Sequence, residues 1–123
     1  MAHLRERVAE FSQLIKQGET ILAMERFYAD HIEMRENEEA PRRGKAKCIE
    51  HERDNLAKVS DFQLQILNQA INEESGTVFT ETELSFKTPK GQSMLLREVS
   101  VQRWVNVWIE EEQFYYKTIQ VVQ

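Results

Sequence analysis

The sequence is poor in the residues that form cross-links, chain breaks and membrane spans. It has one cysteine, Cys48, with four glycines and two prolines among 123 residues. One thiol can neither close an internal disulfide nor supply half of a cysteine-based zinc site. No apolar run approaches the roughly 20 residues of a membrane-spanning helix, and the first residues lack the apolar core of a signal peptide. These absences predict a cytoplasmic protein with no membrane partner.

The charge balance excludes further kinds of partner. Lys and Arg number 16 against 21 Asp and Glu, so the formal net charge is −5. Nucleic-acid-binding surfaces need a basic field, which this acidic chain lacks. The small basic cluster Arg42, Arg43, Lys45 and Lys47 is therefore predicted to be a solvated start of a helix. The length suits one domain, residues 1–123, with one hydrophobic core.

Apolar spacing predicts three helices in the first half of the chain. Four residues share one helical stripe: Leu4, Val8, Phe11 and Ile15. This stripe indicates a helix over about residues 3–17, which Gly18 would end. A shorter helix is expected over about 20–28, and the chain is expected to turn at Ala29–Asp30. A third helix is predicted over about 45–59.

Period-two alternation predicts strands elsewhere. From His31 to Glu36, apolar residues alternate with polar ones, which is typical of a short, half-buried strand. Four more strands are expected over about 62–71, 77–87, 92–104 and 108–122. Helices followed by a strand meander predict an α+β fold, in which the helices pack on one face of a curved antiparallel sheet.

Several short motifs, in this order and spacing, resemble the SnoaL-like branch of the nuclear transport factor 2-like superfamily, which includes ketosteroid isomerases. These motifs are Gly18-Glu19, Phe27-Tyr28-Ala29-Asp30, Pro41-Arg42-Arg43-Gly44-Lys45, Gln102-Arg103-Trp104 and the run from Ile109 to Tyr116. The resemblance covers nearly the whole chain. It implies three helices on a strongly curved antiparallel sheet that encloses a cone-shaped pocket. It does not specify a reaction, because this fold hosts enzymes, binding modules and subunits alike.

Glu36 is the candidate general base. It keeps the parity of Ile32 and Met34, so a regular strand would direct its carboxylate to the apolar side, where desolvation raises the pKa of a carboxyl group. The resemblance implies the same role, because ketosteroid isomerases place a catalytic Asp shortly after a Tyr-Ala-Asp-Asp segment, and here Tyr28–His31 precedes Glu36. Alternatively, the strand ends at Arg35 and Glu36 is solvated.

Two positions depart from the isomerase pattern. Those enzymes hold a Tyr as oxyanion donor in the first helix, where this chain has Phe11. Their second acid would fall near Val99 or Ser100, and Glu98 would reach that place only in a shifted register. Without an oxyanion donor, ketosteroid isomerisation itself is not expected.

The predicted ligand-binding residues come from helices and strands alike: Phe11, Tyr28, Met34, Arg53, Glu98, Ser100, Trp104 and Tyr116. Arg53 interrupts the apolar stripe of the third helix, where it would pair with Glu36, hold an anionic ligand, or extend to solvent. The strand over 92–104 carries polar residues on both faces, which suits a pocket wall and a dimer interface equally. The acidic run Glu110–Glu112 is predicted to be an exposed strand edge.

The sequence as a whole predicts a pocket protein for a small, apolar organic ligand, dimeric through its sheet face. Its expected chemistry is a cofactor-free isomerase- or cyclase-like proton transfer with Glu36 as base. The alternative is a non-catalytic ligand-binding or dimerisation module, which the missing donor at Phe11 favours. No motif for a metal or a cofactor is present, and none is expected.

Overall fold

A computed structural model describes residues 3–120, with side chains for residues 3–117. The helices are α1 (Leu4–Lys16), α2 (Thr20–Phe27) and α3 (Lys45–Ala57). Within the described residues, the strands are β1 (Tyr28–Glu36), β2 (Arg42–Arg43), β3 (Ser60–Asn72), β4 (Thr77–Lys87), β5 (Ser93–Val105) and β6 (Trp108–Gln120). The predicted α+β fold is confirmed. The predicted end of the last strand, at Val122, lies outside the described residues.

The six strands form one open sheet in the order β2-β1-β6-β5-β4-β3. The meander from β3 to β6 is antiparallel, as predicted. However, β1 runs parallel to β6, with Met34 beside Glu112 and Glu36 beside Phe114. The prediction of a purely antiparallel sheet is therefore wrong at this pair. Alternation along one strand gives its exposed and buried faces, but it carries no signal for the neighbour or its direction.

The first strand begins three residues earlier than predicted, so there is no turn at Ala29–Asp30. Tyr28 already has extended backbone angles, φ −77° and ψ 135°, directly after α2. Tyr28 and Ala29 are both buried. Two consecutive buried residues hide the alternation that identifies a half-buried strand.

The hydrophobic core fills one end of the fold, between α1, α2 and the sheet. Its centre is a cluster of edge-to-face aromatic rings, with centroids 5.7 Å apart for Phe11 and Phe27 and 5.8 Å apart for Phe27 and Trp104. Such pairs add to the stabilisation that burial alone provides. Trp104 is only 4% exposed within this cluster.

The turn between β3 and β4 closes over Trp104 and requires a glycine. Gly76 has φ 72°, and a Cβ atom at this position would lie 2.5 Å from the carbonyl oxygen of Trp104. The Trp104 amide donates a hydrogen bond of 2.8 Å to the Gly76 carbonyl. The turn is thus fastened to β5, next to the core.

Bulges in β3 and between Arg103 and Trp104 interrupt the strand register. Bulges bend strands and increase their twist. Beyond the core, the curved sheet stands away from the helices and leaves a cavity. No helix among the described residues is long and apolar enough to cross a membrane.

Candidate functional site

The cavity has a volume of about 420 Å³ and is bounded by the inner face of the sheet, α1 and α3. Seven of the nine predicted site residues line it: Phe11, Tyr28, Met34, Glu36, Glu98, Ser100 and Tyr116. Arg53 and Trp104 do not. Trp104 belongs to the core, as described above.

The strand register gives the cavity a polar interior and an apolar entrance. On the inner face, Thr82 stands opposite Glu98, and Thr80 stands opposite Ser100. Thr80, Thr82 and Ser100 are at most 8% exposed. The next pair along the two strands, Leu84 and Leu96, is apolar, and Leu96 is buried. Leu84 is half-buried and forms an apolar rim with Phe62, Leu64 and Phe86.

Glu36 ends β1 with its carboxylate in the cavity wall. Its Oε1 accepts a hydrogen bond of 2.5 Å from the Tyr116 hydroxyl. Its Oε2 lies 3.3 Å from a guanidinium nitrogen of Arg42 and 3.6 Å from Nε2 of His51. The strand therefore continues through Glu36, whose side chain is 21% exposed. Its role as a base stays a prediction.

Arg42, and not Arg53, is the cationic partner of Glu36. Arg42 lies in β2 opposite Met34, and it donates to the Met34 sulfur at 3.2 Å as well as to Glu36. The prediction that Arg42 is solvated is wrong. Arg53 points away from the cavity and lies 3.5 Å from Glu25. A strand of two residues has no periodicity, so the sequence offered no signal for β2.

The inner face of α3 includes Glu52, whereas the sequence pattern predicted that the next residue, Arg53, lies on it. Cys48, four residues before Glu52, is fully buried, whereas Arg53 is exposed. Glu52 lines the cavity, and its pKa is raised by burial and then by the nearby Glu36 charge. Sequence reasoning missed Glu52 because a carboxyl group on a buried helix face weakens the apolar stripe.

Asn37 holds the end of β1 against β6. It has φ 51°, so the backbone turns away from the sheet immediately after Glu36. Its amide donates to the Phe114 carbonyl at 2.8 Å, and its side-chain oxygen accepts from the Tyr116 amide at 2.9 Å. Gln113 donates to the Asn37 carbonyl at 2.9 Å. These bonds keep Tyr116 beside Glu36, and burial followed by the hydrogen bond to Glu36 raises the pKa of Tyr116.

Glu112 is buried at the inner end of the cavity, which contradicts the prediction of an exposed edge. It is 4% exposed and accepts hydrogen bonds from the Tyr28 hydroxyl and, at 2.7 Å, from Gln102. Trp104 donates in turn to the Gln102 oxygen at 3.0 Å. Burial raises the pKa of Glu112 to about 7, although both hydrogen bonds act to lower it. Because β6 lies between β1 and β5, it is not an edge strand. Glu112 shares the parity of Phe114, and both line the cavity, so this parity is the available sequence signal.

Glu98 faces the cavity directly, in the unshifted register of β5. Burial first, and then the charges of Glu112 and Glu36, together raise its pKa to about 8. At neutral pH, Glu98 therefore retains its proton. Unlike Glu36 and Glu112, it has no hydrogen-bonding side chain among residues 3–117. The cavity thus contains an acid whose proton is free to meet a ligand.

The described residues hold no group of three His, Cys, Asp or Glu side chains placed to bind a metal ion. The sequence matches no protein-family model, and no curated protein matches it significantly. Solved structures do match. One from Mesorhizobium loti, described as a SnoaL-like polyketide cyclase, has a TM-score of 0.79 and 23% identity, covering 91% of this chain and 97% of the other.

Two further structures agree with this match. A nuclear transport factor 2-like protein from Burkholderia pseudomallei has a TM-score of 0.80 and 12% identity, covering 95% of this chain and 92% of the other. An LEH-like epoxide hydrolase from M. tuberculosis has a TM-score of 0.74 and 15% identity, covering 94% and 83%. This chain therefore has the fold shared by SnoaL-like and nuclear transport factor 2-like proteins.

Proposed function

We propose that this protein binds a small, largely apolar organic molecule in the cavity and catalyses a cofactor-free proton transfer on it, of the isomerase or cyclase type. One observation carries the proposal: Glu36 and Glu98, two carboxyl groups in very different surroundings, face the same apolar-rimmed cavity. Neighbouring carboxyl groups held in different protonation states supply the base and the acid that such a reaction needs.

Each group has a distinct role. Glu36, held by Tyr116 and Arg42, accepts a proton from a carbon atom of the ligand. Glu98 donates its proton to the heteroatom on which negative charge would otherwise develop. It thereby supplies the donor that Phe11 lacks. Return of the proton from Glu36 to another carbon atom completes an isomerisation, so no oxidant or metal is required.

Fold similarity supports the class of protein and not a particular reaction. The matched structures include ones described as a cyclase and an epoxide hydrolase, at 23% and 15% identity. Both descriptions concern those proteins. For this chain they support a pocket that accepts organic molecules.

The test is exchange of carbon-bound hydrogen. We expect the protein to catalyse deuterium uptake at the α-carbon of a small cyclic ketone, followed by NMR. Glu36→Gln should slow the exchange about 100-fold or more, because no base remains, and Glu98→Gln should do so to a similar extent. Glu81→Gln, a matched change on the outer sheet face, should have no effect. Unaltered exchange in Glu36→Gln contradicts the assignment of the base.

A second candidate function is dimerisation, with or without catalysis. Large apolar side chains remain exposed on the outer face of the sheet: Phe79 at 43%, Val99 at 38% and Tyr115 at 52%. Arg97 and Glu83, 3.0 Å apart beside them, provide charges of both signs, as a self-complementary surface needs. We expect a homodimer through this face, and Val99→Asp should dissociate it in size-exclusion chromatography with light scattering. A wild-type monomer would exclude the dimerisation function.

A further inference from the structure

We propose that the ligand is an apolar nitrogen base whose charged head binds at Glu98, Ser100 and Thr82 in the interior of the cavity. This inference rests on the proposed function, because it takes the cavity as the ligand site. It also names the chemical class of the ligand, which the base and acid roles of Glu36 and Glu98 do not specify. Three features of the cavity support it: hydroxyl groups without a side-chain partner, the charge of the wall, and the order of polar and apolar residues.

The first feature is a pair of hydroxyl groups beside Glu98. Ser100 is 7% exposed and Thr82 is 8% exposed, and both line the cavity. Thr80, their neighbour, accepts a hydrogen bond from Gln69 at 3.1 Å. Among residues 3–117, by contrast, no side chain is hydrogen-bonded to the hydroxyl of Ser100 or Thr82. Among the described residues, Arg7 Nε is the one fully buried side-chain polar atom without a partner, so the Ser100 and Thr82 hydroxyls are open to the cavity. They can therefore bind the polar head of a ligand there.

The second feature is the sign of the charge on the residues that line the cavity. Glu36, Glu52, Glu98 and Glu112 all line the cavity, and Lys58 is the one basic residue among the lining residues described. Arg42 is engaged by Glu36. An anionic head would be repelled by each of these carboxyl groups that is ionised, and a neutral head would stabilise none of them in the ionised form. A cation is attracted to the ionised groups and favours ionisation of the protonated ones, in surroundings where Coulomb interactions are weakly screened.

The third feature is the order of polar and apolar residues. Along β4, the buried Thr80 and Thr82 are followed by the half-buried Leu84 and Phe86, and Ser100 and Glu98 stand opposite the two threonines. A ligand that satisfies both zones has its nitrogen at the leading end and its hydrocarbon part at the rim. A hydroxyl oxygen and a carboxylate oxygen both accept hydrogen bonds from an ammonium group, so the three side chains form one acceptor set.

Binding of the neutral base is a balanced proton transfer. The Glu98 O–H bond breaks, a new N–H bond forms with the nitrogen lone pair, and an ammonium–carboxylate pair remains. With an imine as ligand, the same step produces an iminium ion, which makes the adjacent C–H bond more acidic toward Glu36. The nitrogen base is therefore compatible with the acid and base roles proposed above.

The experiment compares two probes of nearly equal shape, N,N-dimethylbenzylamine and isobutylbenzene, which differ in one charged nitrogen. Their affinities are measured by amide shifts in ¹H–¹⁵N NMR spectra of the ¹⁵N-labelled protein. We expect the amine to bind at least about tenfold more tightly, the equivalent of about 1.4 kcal/mol. Glu98→Gln should remove most of this preference and Ser100→Ala a smaller part, whereas Glu81→Gln should keep it.

Each other outcome overturns a defined claim. Equal affinity for the two probes overturns the nitrogen base and leaves the apolar pocket intact. A preference for the amine that persists in Glu98→Gln overturns the position of the head. If neither probe shifts the cavity residues, the ligand pocket of the proposed function fails as well. Retained binding of isobutylbenzene by Glu98→Gln shows that this variant still forms the cavity.

Discussion

The core and the cavity share one sheet face but are built in opposite ways. At one end, Phe27 and Trp104 are buried among apolar neighbours. A few residues before Trp104 along β5, Glu98 and Ser100 face an open volume of about 420 Å³. The core concentrates the apolar burial that stabilises the chain, and the cavity retains carboxyl groups whose burial costs stability. This difference supports the proposal that the polar end binds a ligand, since folding alone gives no reason to bury a carboxyl group there.

The largest expected difference between the two ends lies in the free energy of unfolding. Phe27→Ala should lower it by about 3–5 kcal/mol, because the ring is 2% exposed and its removal leaves a void. Phe62→Ala, at the half-buried rim, should cost less than about 1.5 kcal/mol. Urea unfolding of both variants measures the comparison. Equal losses would mean that the rim is part of the core.

The next expected effect is a fall in stability as the pH rises. Glu98 has a pKa of about 8 in the folded protein, above its ordinary value of 4.5, so the folded state binds more protons between these two values. Its stabilising contribution is complete below the unfolded pKa and is lost as the pH rises through the folded pKa. From pH 5 to pH 8 we expect a loss of about 3 kcal/mol.

Glu98→Gln isolates that contribution, because an amide does not titrate. The variant should show a flatter pH profile in urea unfolding, although Glu112, with its pKa of about 7, keeps part of the slope. Glu81→Gln, on the outer face, should keep the full wild-type profile. Stability that rises from pH 5 to pH 8 in the wild type would contradict the burial of these carboxyl groups.

A smaller effect is expected at the turn that closes over the core. Gly76→Ala forces a Cβ atom against the Trp104 carbonyl oxygen at a position with φ 72°, and we expect a loss of about 2–3 kcal/mol. Gly91→Ala is the matched control, since φ is 82° but no atom lies within 4 Å of the added Cβ. It should cost about 1 kcal/mol. Thermal unfolding that ranks the two variants equally would exclude the contact with Trp104.

The smallest effect is expected at Asn37, on the cavity side. Asn37→Asp keeps the side-chain oxygen that accepts from the Tyr116 amide, whereas Asn37→Gly keeps only the positive φ. The glycine variant should lose about 1 kcal/mol of stability and the hydrogen-exchange protection of the Tyr116 amide. The aspartate variant should retain that protection. Equal protection in both variants would show that Asn37 does not hold Tyr116.

The amount that could be predicted differs between the core and the cavity. Helical spacing located α1, and alternation placed β4 at its observed ends, 77–87. The same alternation put Glu98 and Ser100 on one face of their strand, but it left open which face lines the cavity, because both faces are mixed. It did not locate Glu112, because three consecutive acidic residues suggest exposure, and only the fold shows that the side of β6 carrying Glu112 and Phe114 faces the cavity.

The sequence by itself determined the three helices, the five longer strands, the α+β class and which residues share a face of each strand. These properties follow from the spacing of apolar and polar residues, which involves only residues that are close together along the chain. Only the tertiary structure decided that β1 runs parallel to β6, that Arg42 reaches Glu36, and that Glu112 is buried. Such contacts join residues 6 and 84 positions apart through turns and register. The pKa values of the carboxyl groups were decided there too, because desolvation depends on what surrounds a side chain.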